Sequence, residues 1–208
     1  MKKIIVLALG IVMATGVTAG AANPSYTGTT GAILTPTGDV ISIGSYDAMY
    51  TQSTNGNNKM GSIGLGVAQQ LEVSVAHEWG SNSQTYLNAK YGILREGVAL
   101  PAVAVGVNDI TNEKDVSPYV VMSKTLPMGF RFSLGYGNGQ YNGAFGSVEK
   151  TINPLIVGGD DVFPATTLVL EYDSTDWNYG ARVALAGGAK ATIGHFYHRT
   201  YVGLTFSK

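Results

Sequence analysis

Beyond about residue 40 the chain alternates apolar and polar positions in short runs. In the run Leu71 to Trp79, Leu71, Val73, Val75, His77 and Trp79 share one face, and Glu72, Ser74, Ala76 and Glu78 share the other. Likewise Leu87, Ala89, Tyr91 and Ile93 oppose Tyr86, Asn88, Lys90 and Gly92, and Phe130, Phe132, Leu134 and Tyr136 oppose Arg131, Ser133, Gly135 and Gly137. Further on, Thr166, Leu168, Leu170 and Tyr172 oppose Thr167, Val169, Glu171 and Asp173. Trp177, Tyr179, Ala181, Val183 and Leu185 then oppose Asn178, Gly180, Arg182 and Ala184. Successive side chains of a strand point to opposite faces, so each run predicts a strand with one apolar face and one small or polar face. No stretch after Ala22 offers the 3.6-residue period of an amphipathic helix.

Turn-forming clusters separate the runs. The clearest are Asn55-Gly56-Asn57-Asn58, Gly80-Ser81-Asn82, Asn112-Glu113-Lys114-Asp115 and Gly137-Asn138-Gly139, of the composition that closes tight connections between antiparallel strands. The predicted strands are 41–53, 59–68, 71–79, 84–94, 98–109, 117–126, 129–138, 141–151, 165–174, 177–186, 189–198 and 200–207, with a further short run near Thr27 to Leu34. Most suit the ~9–11 residues that cross a bilayer at a tilt. Closure of a single-chain bacterial barrel favours an even number. The expectation is therefore an all-β fold, an antiparallel up-and-down transmembrane β-barrel of about twelve strands. The longest irregular stretch, Asn153 to Pro164, is expected as a loop on the barrel or folded into its mouth.

Two features favour a membrane barrel over a soluble β-sandwich. Trp79, Tyr136, Tyr172 and Trp177 stand at the ends of their apolar faces, where aromatic girdles meet the membrane interfaces. The opposite face is Gly, Ser, Asn and Ala with isolated charges, whereas the wet face of a sandwich usually carries more Lys and Glu. Composition points the same way. Charged residues are only 13% of the chain, about half the usual share of a soluble domain. Glycine and tyrosine are plentiful, and mean hydropathy is only slightly positive.

The first 22 residues run from Lys2-Lys3 through an apolar stretch, Ile4 to about Val17, to Ala19-Gly20-Ala21-Ala22. That order predicts a secretory signal peptide, and the stretch is shorter than the ~20 residues of a spanning helix. The expected organisation is a signal peptide at 1–22 and one barrel domain at 23–208, destined for the outer membrane. Without Lys2 and Lys3 the chain keeps 11 basic against 14 acidic side chains, which argues against nucleic acid as a partner. There is no cysteine, so disulfides and cysteine lipidation are excluded.

The sequence offers no catalytic constellation, so no enzyme activity is expected. His195 and His198, three apart, fall on opposite faces of a strand, poor geometry for one metal ion. Asp160-Asp161 lacks the repeated oxygen ligands of a calcium loop. The glycines of MGSIGLGVAQQ have no strand-to-helix context for phosphate, and GxSxG is absent. Neither metal nor cofactor is expected. The inward charges read as lumen residues: Glu171 and Asp173 on one strand with Arg182 on the next as a pair, Lys90 and Arg131 as further lining, and Lys124 as a weaker candidate.

Several stretches together resemble the YjbH-type outer-membrane proteins: GTTGAILTPTGDV (Gly28 to Val40), YGILREGVALPAVAVGVNDI (Tyr91 to Ile110), PYVVMSKTLPMGFRFSLGYGNG (Pro118 to Gly139), LEYDSTDWNYGARVAL and HFYHRTYVGLTF. They follow in order along nearly the whole chain after residue 22. The resemblance implies an outer-membrane barrel linked to exopolysaccharide or capsule export, with outer-membrane lipid, polysaccharide and envelope export proteins as partners. The chain departs from that family's longer members in holding a single barrel-like region, and its last aromatic, Phe206, lies two residues before Lys208. Two functions compete: assisting passage of a polysaccharide or other polar solute, or acting as a structural scaffold of the envelope. Small inward residues favour the first, inward ion pairs and a bulky plug the second.

Overall fold

The computed structural model describes residues 23–80, 83–153, 155–158 and 161–208. The signal peptide expected at 1–22 lies outside them, as does Asp160.

The alternating runs form twelve strands that close on themselves, and a small hairpin lies apart. In chain order the strands are β1 (Tyr46–Ser53), β2 (Lys59–Ala68), β3 (Leu71–Trp79), β4 (Gln84–Leu94), β5 (Ala102–Asn108), β6 (Ser117–Leu126) and β7 (Phe130–Gly137). They continue as β8 (Gly143–Ile152), β9 (Leu155–Gly158), β10 (Asp161–Phe163), β11 (Thr166–Tyr172), β12 (Trp177–Ala184), β13 (Ala189–Phe196) and β14 (Arg199–Ser207). Each barrel strand pairs antiparallel with its neighbour, β8 pairs with β11, and β1 closes on β14 from Asp47 opposite Ser207 to Ser53 opposite Tyr201. β9 and β10 pair only with each other, so the stretch 153–164 is a short hairpin on the connection from β8 to β11. Closure leaves no unpaired edge, which is what hydrocarbon demands of backbone polar groups.

Where β1 begins and β14 ends is the terminal rim; the opposite end is the distal rim. Ile63, Leu65, Val75, Leu87, Val120, Leu134, Leu168, Ile193 and Val202 all face outward and are exposed, forming the apolar belt. Glu72, Ser74, Asn88, Lys90, Ser123, Ser147, Glu149, Glu171, Asn178 and Arg182 face inward and are buried. The four aromatics Trp79, Tyr136, Tyr172 and Trp177 all end up at the distal rim, because each sits where its strand finishes or starts there. Tyr91, Phe130 and Phe132 lie toward the terminal rim instead.

Two predicted strands change role. The run Thr27 to Leu34 is not a wall strand, and β1 starts at Tyr46 rather than 41. Residues 23–41 run inside the barrel. Eight strands leave an interior that side chains alone can fill, while sixteen to eighteen leave a water channel. Twelve fall between, with room for a stretch of chain. Here the protein's own residues 23–41 fill it: Ser25, Tyr26, Thr29, Thr30, Ala32, Leu34, Thr35, Thr37 and Ile41 are all buried.

Candidate functional site: the lumen and its plug

The inserted segment folds tightly on itself. Tyr26 N–H donates to the Ile33 carbonyl at 2.6 Å and Ser25 N–H to that of Thr29 at 2.7 Å. Gly31 permits a close turn, since a Cβ there would lie 2.3 Å from the Thr35 carbonyl oxygen.

Four charged wall residues hold the segment, largely by its backbone. Glu171, on β11 and wholly buried, accepts the amides of Ile33 (2.8 Å), Leu34 (2.9 Å) and Thr35 (3.0 Å), with the Thr35 hydroxyl at 2.8 Å. Glu72, on β3, accepts the Thr30 amide (2.7 Å) and hydroxyl (2.6 Å) and the Ile41 amide (3.1 Å). Lys90, on β4, donates to the Thr30 carbonyl at 2.7 Å and lies 3.6 Å from Glu72. Arg182, on β12, donates to the carbonyls of Gly31 and Ala32 and forms a 3.0 Å ion pair with Glu149 of β8. Carboxylates meet N–H groups and cations meet C=O groups, so these four charges are compensated.

The expected pairing of Arg182 with Glu171 and Asp173 therefore does not form. Arg182 stands opposite Thr167 on β11, four residues from Glu171, or roughly 13 Å along a strand. Glu149, one strand farther round, is within reach. Asp173 instead accepts the amides of Thr175 (2.9 Å) and Asp176 (2.8 Å) and the Asn178 side chain (2.8 Å), fixing the β11–β12 turn. Arg131 stands in the terminal mouth, its Nη2 donating to both carboxylate oxygens of Asp39 at 2.7 Å and its Nη1 to Glu96 at 2.6 Å. It ties the end of the plug to the 95–101 connection. Lys124 shares the outward face of β6 with Val120 and Met122, and its ammonium bonds the Gly97 and Leu100 carbonyls, so it is not lumen lining.

Apolar contacts anchor the distal part. The Tyr26 ring meets Phe196 edge-on at 4.8 Å and Tyr201 at 5.4 Å, and those two stack at 4.0 Å. Leu34, Met49, Met60 and Tyr86 complete the cluster. On the other side, Tyr119, Tyr141 and Phe145 pack beside Val121. The connection 109–116 folds over the distal end, and Lys114 bonds Glu78 at 2.9 Å. Toward the terminal rim the lumen opens into a cavity of about 850 Å³, bordered by Asp39, Asp47, Glu96, Arg131 and Glu149.

Partial burial pushes the Glu96 carboxyl up, but the bonds from Arg131 and the Thr125 amide outweigh it and hold the group below its ordinary value. His195 stacks on Tyr179 at 5.3 Å, while His198 is exposed in the turn that joins β13 to β14. Among the described residues no group of three His, Asp or Glu side chains is placed to hold a metal ion. Sequence reasoning did not single out Glu72 and Glu149 in the lumen, nor Asp39, Asp47 and Glu96 around its terminal cavity. Glu72 had a signal, since alternation sets it on the polar face with Ser74.

Fold and site together define a membrane-type β-barrel of twelve strands whose lumen is occupied by its own N-terminal segment. Residues 24–197 match the YjbH family, described as exopolysaccharide biosynthesis protein YbjH, and the chain belongs to that family. Comparison with curated proteins finds no match. Among solved structures the barrel is similar to a KdgM porin, at 16% identity and a TM-score of 0.54, over 79% of this chain and 99% of that one. That likeness concerns the fold.

Proposed function

We propose that the protein is an outer-membrane barrel that assists passage of exopolysaccharide or another polar solute, along a lumen that its N-terminal segment closes at rest. The observation that carries this reading is how the plug is held. Glu72, Lys90, Glu171 and Arg182 grip mainly backbone groups of residues 30–41. With the plug withdrawn, the same donors and acceptors line a polar track suited to a hydroxyl-rich chain. The family membership supplies the solute class. In this reading the protein catalyses nothing, needs no cofactor, and works with envelope export proteins.

Conductance across a planar bilayer tests it. The wild type should sit near the protein-free level, with rare openings. Charge-assisted hydrogen bonds contribute ~1.5–3 kcal/mol each, so Glu171→Gln should raise open probability by roughly tenfold or more. A mobility shift on boiling would show that the variant is still a folded barrel. If a folded Glu171→Gln barrel stays at the protein-free level, the passage reading fails. The filled lumen then favours the envelope scaffold.

A further inference from the structure

One buried charge of the lumen takes no part in the grip on the plug. Asp47 points inward from β1 and is 1% exposed, yet neither of its carboxylate oxygens has a hydrogen-bond partner among the described residues. Opposite it stand Gly64 of β2, which has no side chain, and Ser207 of β14, whose buried hydroxyl also lacks a partner among them. The plug roofs this carboxylate with hydrocarbon: a Cβ built on Gly64 would lie 2.6 Å from an Asp47 oxygen and 2.7 Å from Cδ1 of Ile41. A buried carboxylate without donors or a counter-ion is destabilising, and the plugged barrel carries one.

A cation that could answer it stands nearby. Lys190 points inward from β13, and its ammonium is occupied by the plug, donating to the side-chain oxygen of Asn23. β14 separates the two strands, with Thr205 opposite Lys190 and Ser207 opposite Asp47. Two strand spacings and a two-residue offset put their Cα atoms roughly 12 Å apart, a gap that the four-carbon stem of a lysine and an aspartate side chain close together. Each charge already acts on the other. Competing partners are engaged: Glu149, the other acid acting on Lys190 from the wall, is paired with Arg182, and Lys90 lies beside Glu72. What keeps Lys190 from Asp47 is the plug, through Asn23 at one end and Ile41 at the other.

We propose that Lys190 and Asp47 form an ion pair across β14 when the plug withdraws, so that a second, open arrangement is built into the barrel wall. In the closed barrel Lys190 holds Asn23 and Asp47 is unpaired; in the open one the two satisfy each other. The pair offsets part of what the plug's own bonds contribute, which keeps the open state within reach. The inference rests on the proposed passage only for what then moves through the lumen.

The test reads withdrawal and passage separately in the full barrel carrying Glu171→Gln, with a boiling-dependent gel shift to show that each variant is folded. Withdrawal is followed as maleimide labelling of a single cysteine placed at the buried Ser25, and passage as conductance across a planar bilayer. A charge-assisted hydrogen bond supports a roughly ten- to hundredfold difference, so Asp47→Asn should slow labelling by about that factor. Lys190→Gln keeps a donor for Asn23 and should slow it as well. Joined, the two substitutions should slow it no further than the larger single effect, because both delete the same pair. Labelling that ignores either substitution overturns the pair, as do two effects that simply add. A thiol that is never labelled in this background overturns it too, since no open state is then reached. If labelling follows the expected pattern while conductance stays at the protein-free level, the pair stands and the passage reading fails.

Discussion

Arg182 illustrates how the lumen is held at the scale of one side chain. It pairs with Glu149 across the wall and caps two carbonyls of the plug. Removing it strands a buried carboxylate and two carbonyls at once. Breaking a buried pair from one side costs ~3–5 kcal/mol, so Arg182→Ala should lower the thermal midpoint of the boiling-dependent gel shift by several degrees. Arg182→Ala combined with Glu149→Ala should recover part of that loss, since no lone charge remains. An unchanged midpoint in the single variant would remove the pair from the account of stability. Alternation alone placed Glu171, Asp173, Lys90 and Arg182 on inward faces, because the side-chain period of two needs no partner to be known. The partners were not legible. They depend on register two strands apart and on a segment that is not in the wall.

Single elements show where sequence signals are strong and where they stop. β2, β3, β4 and β6 run over the predicted residues, 59–68, 71–79, 84–94 and 117–126, because clear alternation stops at clear turn residues. β5 is shorter than predicted, Ala102–Asn108 against 98–109. At its far end Asp109 takes a left-handed backbone, φ 54°, and gathers the next connection around its carboxylate. It accepts the amides of Lys114 (2.7 Å), Glu113 (3.0 Å) and Asp115 (3.1 Å) and the Thr111 hydroxyl (2.9 Å). Partial burial pushes this carboxyl up, but those bonds, led by the Lys114 and Glu113 amides, hold it below its ordinary value. A folded value below the unfolded one stabilises the loop above the unfolded value of about 4. That contribution is lost as pH falls through the folded value. Hydrogen exchange at the amides of Glu113, Lys114 and Asp115 should therefore accelerate, relative to their intrinsic rates, as the medium is acidified below about pH 4. Asp109→Asn should exchange fast at every pH. Protection that ignores pH in the wild type would mean that the carboxylate does not organise this loop.

The whole molecule turns on the relation between a wall of twelve strands and the segment inside it. The run near Thr27 to Leu34 reads as a further short strand, because local pattern cannot distinguish a thirteenth strand from a plug. The difference appears only once the barrel closes and its interior must be filled. A plug and a structural core part predict different exchange with solvent. The protein has no cysteine, so one introduced thiol is a clean reporter, and Ser25 is wholly buried and close to Cys in shape. In Ser25→Cys, modification by a small water-soluble maleimide measures how often the segment opens. If it leaves the lumen as a unit, weakening its grip at a distance must speed labelling. Glu171 holds residues 33–35 rather than Ser25, and loss of ~1.5–3 kcal/mol there corresponds to roughly ten- to hundredfold more opening. Glu171→Gln in the Ser25→Cys background should therefore accelerate labelling by about that factor while the barrel keeps its boiling-dependent shift. Labelling that stays equally slow in both would identify the segment as a fixed core of the barrel, and the path through the lumen as permanently closed.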